Sequence, residues 1–504
     1  MNSSHTSASR DEARFIPVRA AGSLLGLACG DALGAPYEFG PSLAHTVTVE
    51  MKGGGPFNFA PAEFTDDTAM AIGIAKAIAP GKNRVEPDGS DAIDLTSVLE
   101  NWLAWLEVTK DVGMQTGTIL RRLVRDGVIT EEACRTLAEE HHEASGAQSA
   151  GNGALMRTAP VALAYIHDTT GLADMARRVA QLTHWEDTAG DACVLWCFAI
   201  VHAVRTGELD IRIGLEELPE ERRVYWLERI EEAEASQPAH FSVNNGWVVS
   251  AFRGAWSAIF HSLAENGRID VVDALERAVR GGNDTDTVAA IAGSLIGAAA
   301  GAAVFPSKWR TRIHGWGIAN ERELVALALS TAYAADVDLD AWPLSASESA
   351  KPIGTLERHP HDDGVWLGSM DMIDNLPADV TAVVSICRTG IQQIPADRAN
   401  ITEHVEFWLV DDVGANIDSR SVVIDAANTV ARLREEGHVV FLHCVAAHSR
   451  TPTVAAAYSA LHLGIDCIEA HEQIREVLPQ EFAWRNPEFI ELLATLPTDV
   501  GGSR

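Results

Sequence analysis

Along the first two-thirds of the chain, apolar residues recur at i, i+3 and i+4. The stretches DLTSVLENWLAWLEV, EEACRTLAEEHHEA and DACVLWCFAIVHAV carry this pattern, which runs from Phe15 to about Asp336. Such spacing gathers apolar side chains on one face of a 3.6-residue helix. Alternating strand patterns are scarce there, so residues 15–340 are expected to form an all-α domain. The pattern breaks over 341–355, where WPLSASESAKPIGT is rich in Pro, Ser and Ala and reads as a linker. Beyond it, VWLGSM, TAVVSI, VEFWLV and HVVFLH are short β-branched runs separated by helical stretches. Strands alternating with helices predict an α/β domain over 356–497. The expected fold is therefore multi-domain, all-α followed by α/β.

Composition narrows the classes of function. The 504 residues carry a formal net charge of -32. Nonspecific nucleic-acid binding and attachment to a membrane surface both depend on basic patches, so neither is expected. The acidity does leave room for carboxylate clusters that hold cations. The seven cysteines are irregularly spaced, with no zinc pattern, which suits a reducing compartment. MNSSHTSASRDEAR lacks the apolar core of a signal peptide. The longest apolar run, Val288 to Phe305, is mostly Ala and Gly and follows an acidic cluster, so a buried helix is expected rather than a membrane span. A cytoplasmic location follows from these expectations.

Two acidic clusters each stand just before an apolar helix. One is FTDDTAM, with Thr65, Asp66, Asp67 and Thr68; the other is GGNDTDTVAAIAG, with Asp284, Asp286 and Thr287. Taken singly, each reads as helix capping, because Thr and Asp favour N-caps and acids are stabilised at the positive helix end. Should the two helix starts meet, four carboxylates would share one site and would need protons or cations. Hard oxygen ligands of this kind suit Mg²⁺ or Mn²⁺. A third segment, GLACGDALGAPYEFG, reads as a helix end and a tight loop at Gly30, Gly34 and Pro36, with Asp31 and Glu38 as its polar members.

GDALGAPYEF, FTDDTAM, SAGNGALMRTAP and GGNDTDTVAAIAG, in this order, resemble the ADP-ribosylglycohydrolases over about residues 18 to 335. The resemblance implies a binuclear Mg²⁺ (or Mn²⁺) site held by Thr65, Asp66, Asp67, Asp284, Asp286 and Thr287. It implies Glu38 as catalytic acid/base and Asp111 on the substrate side. Ser149, Gly151, Asn152 and Gly153 would cradle a diphosphate, and His184 would line the ADP-ribose pocket. The implied activity is release of ADP-ribose from an ADP-ribosylated protein, nucleic acid or small molecule. The alternative is a non-hydrolytic ADP-ribose reader.

In HVVFLHCVAAHSRTPTVAAAYSAL, Cys444 and Arg450 are separated by five residues between a strand pattern and a helix pattern. This resembles the cysteine-dependent phosphatases of the dual-specificity type, over about residues 355 to 495. The resemblance implies Cys444 as nucleophile, Arg450 as clamp on a phosphate ester, and Asp412, or alternatively Asp411, as general acid. Thr451 matches the hydroxyl that follows the Arg. One position departs from the family loop: Ala447 stands where Gly is common, and a residue with Cβ is disfavoured in left-handed backbone. A phosphate-binding module without turnover is the alternative here.

Overall fold

The computed structural model describes residues 14–78, 92–264, 268–335, 337, 342, 354–387, 394, 398–478 and 486–496. The chain divides into two compact units. One comprises 1–305 with 309–337, the other 306–308 with 338–504.

The first unit is helical, and its strand pairing among the described residues is limited to isolated bridges. Its main helices are α1 (Ile16–Gly34), α2 (Asp66–Ala75), α3 (Leu95–Leu106), α4 (Met114–Asp126), α5 (Glu131–Ala144), α6 (Ala159–Ala164) and α7 (Leu172–Gln181). They continue with α8 (Asp187–Thr206), α9 (Glu220–Ala235), α10 (Val248–Phe260), α11 (Val271–Arg280), α12 (Thr285–Ala300) and α13 (Glu321–Tyr333). The apolar run expected as a buried helix is α12, every residue of which is buried. Among the described residues, two helical stretches, Ile16–Tyr37 and Asp187–Thr206, are long and apolar enough to cross a bilayer, yet most of each is buried.

α1 and α12 form its axis. On α1, Gly22, Gly26, Gly30 and Gly34 fall one helical turn apart and face α12. A Cβ at Gly26 would lie 2.1 Å from the Gly293 carbonyl oxygen, and one at Gly30 would lie 2.0 Å from that of Ala289. The reverse also holds: a Cβ on Gly297 would meet the Gly22 oxygen at 2.0 Å. Backbone therefore packs on backbone. The helix ends at Gly34 and a tight turn, Ala35–Tyr37, follows, in keeping with the helix end and loop read at Gly30, Gly34 and Pro36; Gly30 itself lies inside α1, where it serves close approach. The crossing sets Gly34 against the backbone of Asp286 and brings the end of α1 to the start of α12.

The second unit holds a five-stranded sheet in the order β1-β2-β5-β3-β4. The strands are β1 (Leu356–His359), β2 (Asp362–Ser369), β3 (Ala382–Ser385), β4 (Glu403–Glu406) and β5 (Val440–Cys444). β1 is an antiparallel edge, while β2, β5, β3 and β4 run parallel. Central β5 is buried at every position, as a strand covered on both faces must be. The helices are α14 (Ser419–Glu435), α15 (Arg450–Leu463), α16 (Cys467–Val477) and α17 (Pro487–Ala494). Most of the expected linker (residues 341 and 343–353) lies outside the described residues. Trp342, within it, is buried edge-on against Trp408 at 4.4 Å, and β1, which the sequence pattern did not reveal, begins directly after it.

Candidate functional site

The start of α2 is built unusually. Its N-cap, Thr65, makes no side-chain capping bond. The Thr65 hydroxyl donates instead to Asp67 Oδ2 at 3.0 Å. Capping comes from α1: Asp31 accepts from the Thr65 N–H at 2.9 Å, the Thr68 N–H at 3.0 Å and the Thr68 hydroxyl at 2.6 Å. Asp284 likewise occupies the N-cap of α12 without capping it. Its carboxylate accepts from Asn152 Nδ2 at 2.7 Å. Simple capping thus fails to account for either acidic cluster.

The two helix starts meet. Asp31, Asp67 and Asp286 bring carboxylate oxygens within 4.8 Å of one another, and Glu38, Asp284 and Asp286 do the same. Asp31, Asp67 and Asp286 are buried, while Glu38, Asp66, Asp111 and Asp284 are partly exposed. Asp66 sits beside these groups, and the nearby Asp284 charge adds to the burial that raises its carboxyl. Two backbone bonds pin the Glu38 segment to the start of α12: Phe39 N–H to Asn283 O and Asn283 N–H to Gly40 O, both 2.7 Å. Phe39 (φ 57°) and Asn283 (φ 62°) are left-handed residues flanking Glu38 and Asp284. Such backbone costs of order 1–3 kcal/mol per residue and persists where surrounding structure demands it.

Burial raises every carboxyl in this group, and mutual repulsion adds to it for most. Glu38 is pushed up to about 9, by burial first and then by Asp284, Asp111 and Asp66. Burial takes Asp31 and Asp111 to about 7 and Asp66 to about 6. Asp67 and Asp286 are held well above the usual carboxylate range, and Asp284 is raised too. Glu38 Oε2 and Asp67 Oδ1 are buried without a hydrogen-bond partner. Unpartnered buried oxygens amid repelling carboxylates and threonine hydroxyls match the hard donor set of Mg²⁺ or Mn²⁺. The residues present therefore fit a divalent cation.

Beside this cluster runs the Ser149–Gly153 loop. The Ser149 N–H donates to Glu186 Oε2 at 3.0 Å, and its hydroxyl lies 2.6 Å from His142 Nδ1. The Asn152 N–H is committed to Gly246 O at 3.0 Å, so its side chain, on Asp284, orients a carboxylate. Gly151 and Gly153 lie against the His184 ring: a Cβ at either would sit 3.0 Å from it. The glycines make room for that ring. Sequence reasoning singled out neither Asp31 as a member of the cluster nor Arg157 and Thr183, which stand behind His184.

In the α/β unit, Cys444 ends β5 and Arg450 begins α15. Both are buried. Arg450 Nη1 donates to Leu409 O at 2.9 Å, and its Nε lies 3.8 Å from Asp411 Oδ2. Burial raises the Asp411 carboxyl, against the lowering effect of Arg450. Of the two candidate acids, Asp411 is the one whose carboxylate lies beside Arg450. Ala447 adopts the left-handed conformation the loop requires, at φ 58°. The Thr451 hydroxyl is buried without a hydrogen-bond partner. Behind the loop, His443 Nε2 lies 2.7 Å from the Ser385 hydroxyl, and burial lowers its pKa to about 3, so the ring stays neutral.

Comparison with known proteins places these sites in context. Residues 13–338 match the family model described as ADP-ribosylglycohydrolase. The chain is 29% identical over 303 residues to the ADP-ribosylarginine hydrolase Tri1 of Pseudomonas putida, spanning 58% of this chain and 74% of that protein. It is 28% identical over 301 residues to the ADP-ribosyl-[dinitrogen reductase] glycohydrolase of Rhodospirillum rubrum, spanning 58% of this chain and 90% of the relative. Among solved structures, human DUSP28 aligns at 21% identity with a TM-score of 0.25, covering 29% of this chain and 95% of its own.

Proposed function

The chain belongs to the ADP-ribosylglycohydrolase family, and from that premise we propose that its helical unit hydrolyses the bond joining ADP-ribose to its carrier. The observation that carries this reading is the meeting of the α2 and α12 starts in one carboxylate cluster with unpartnered oxygens on Glu38 and Asp67. The names of the two curated relatives support an ADP-ribosylated protein as substrate; nucleic-acid and small-molecule carriers are further arms of the test.

Asp66, Asp67, Asp284 and Asp286, with Thr65 and Thr287, would hold two Mg²⁺ or Mn²⁺ ions. Such ions supply charge stabilisation at ribose oxygens and a more acidic water. In the cation-free site the Glu38 carboxyl is pushed up to about 9 by burial and by Asp284, Asp111 and Asp66. As catalytic acid it would deliver a proton to the leaving atom as the anomeric bond breaks through an oxocarbenium-like state. The Gly151–Gly153 loop and His184 would hold the diphosphate while Asp111 faces the ribose or its carrier. In a release assay, Glu38→Gln should lower turnover by roughly 10²–10⁴-fold and leave ADP-ribose affinity within a few-fold of wild type. Unchanged release removes Glu38 from the chemistry; lost binding reassigns it to the substrate pocket.

For the α/β unit we propose a phosphate-ester site at the 444–450 loop. Its place at the carboxyl ends of parallel strands, where open α/β sheets bind ligands, supports this reading. Cys444 would attack phosphorus, Arg450 would fork onto the phosphoryl oxygens, and Asp411 would protonate the leaving oxygen. Hydrolysis of p-nitrophenyl phosphate by the full chain, abolished in Cys444→Ser, is the expected result. Equal hydrolysis by both proteins excludes Cys444 as nucleophile.

A further inference from the structure

Behind His184 stands a polar chain that no role in the reaction yet accounts for. Arg157 is fully buried, stacks over Trp102 at 4.1 Å and makes no ion pair among the described residues. Its Nη2 donates to the Thr183 hydroxyl oxygen at 2.7 Å. That hydroxyl also lies 2.8 Å from His184 Nδ1. Thr183 is itself fully buried, and its backbone carbonyl is fixed by Gln115 Nε2 at 2.6 Å.

The donor inventory settles the direction of these bonds. A guanidinium only donates, so Thr183 accepts from Arg157. Its one hydroxyl hydrogen has a single remaining partner in a site closed to water, which is His184 Nδ1. Nδ1 is therefore the acceptor, and the proton of the neutral ring sits on Nε2. His184 cannot easily gain a second proton, because burial and the Arg157 charge hold its pKa well below the usual range. Nε2 faces the Gly151–Gly153 loop, where a Cβ on Gly151 would lie 3.0 Å from it, and it has no hydrogen-bond partner among the described residues. A histidine serving only the core would have that second nitrogen satisfied.

We propose that Arg157 and Thr183 are positioning residues: they fix His184 as an Nε2–H donor aimed at an anionic phosphate oxygen lying along the Gly151–Gly153 loop. This rests on the reading of the helical unit as an ADP-ribose site. Thr183→Val keeps the shape and removes the relay, while Thr183→Ser keeps the relay.

The test uses the full chain with ADP-ribose as probe, alongside ¹⁵N spectra of labelled histidine with His184 assigned by His184→Gln. Wild type should show the Nε2–H signature for His184. Thr183→Val should lose that single tautomer, weaken ADP-ribose binding roughly 10–100-fold, and raise KM with kcat nearly unchanged, as loss of uniform binding does. Thr183→Ser should restore all three. An Nδ1–H signature in wild type overturns the proposal, as does a folded Thr183→Val that binds ADP-ribose as wild type does. If wild type binds no ADP-ribose, the reading of function fails; the tautomer then judges the relay alone, Nε2–H supporting it and Nδ1–H overturning it.

Discussion

Asp31 accepts three hydrogen bonds from the start of α2, so Asp31→Ala strands two buried N–H groups and a hydroxyl. With roughly 1–3 kcal/mol for each unsatisfied buried group, the variant should lose several kcal/mol in denaturant unfolding. It should also bind Mn²⁺ more weakly, because Thr65 and Asp67 lose their anchor; wild-type affinity would show that Asp31 acts on stability alone. Ala447 offers the opposite case. Its left-handed backbone costs about 1–2 kcal/mol, and Ala447→Gly removes that strain at an entropic cost of roughly 0.5–1 kcal/mol. A slightly higher unfolding midpoint is expected, and a lower one would show that the loop is unstrained. At this scale the sequence was informative wherever a motif kept its residues adjacent. Thr65, Asp66, Asp67, Asp284, Asp286 and Thr287 stand in two short runs, and the structure brings the two runs together. Asp31 escaped because one acid among small helical residues has no periodic signal, and its partners lie 34 and 37 positions away. Arg157 and Thr183 escaped for the same reason: a buried polar chain is visible only once its members are close.

The α1–α12 crossing shows how elements create the site. Gly30→Ala should raise intrinsic helix propensity by about 1 kcal/mol, yet its Cβ would meet the Ala289 carbonyl oxygen at 2.0 Å. The helices would have to separate, and overpacking of this kind costs typically about 1–3 kcal/mol. Because Asp31 and Gly34 lie on the same crossing, ADP-ribose release should fall further than stability does. A thermal melt paired with the release assay checks this, and equal or higher stability in Gly30→Ala would refute the backbone-on-backbone packing. The helical periodicity predicted most of these elements. It could not distinguish glycines that end a helix from glycines that let two helices touch, since both read as breaks. In the α/β unit the β-branched runs marked four strands. β1 was missed because LERH has no alternating apolar pattern and holds an edge position.

At the scale of the whole molecule, the change in fold class near residue 340 was legible because period-3.6 and β-branched patterns differ so plainly. Which of the adjacent Asp411 and Asp412 lies beside Arg450 was not, since neighbouring identical residues carry no distinguishing signal. The carboxylate cluster also shapes the pH response of the cation-free protein. Folding raises these pKa values, so the folded state binds more protons than the unfolded one. Stability therefore falls with rising pH. Their contribution is fully present below the unfolded carboxylate range near 4 and is lost as pH passes through about 6 to 9, where Asp66, Asp31, Asp111 and Glu38 titrate. Melting in chelator should show a midpoint that declines over this window, and Mn²⁺ should restore it with release of protons. A midpoint that climbs with pH in chelator would contradict the placement of these acids. The most direct test of the central claim is release of free ADP-ribose from arginine-, serine- and nucleobase-linked substrates, with chelator or with added Mg²⁺ or Mn²⁺. Cation-dependent release that disappears in Asp284→Ala is the expected result. Release that persists in chelator and in Asp284→Ala would contradict a cation-based site at the meeting of α2 and α12.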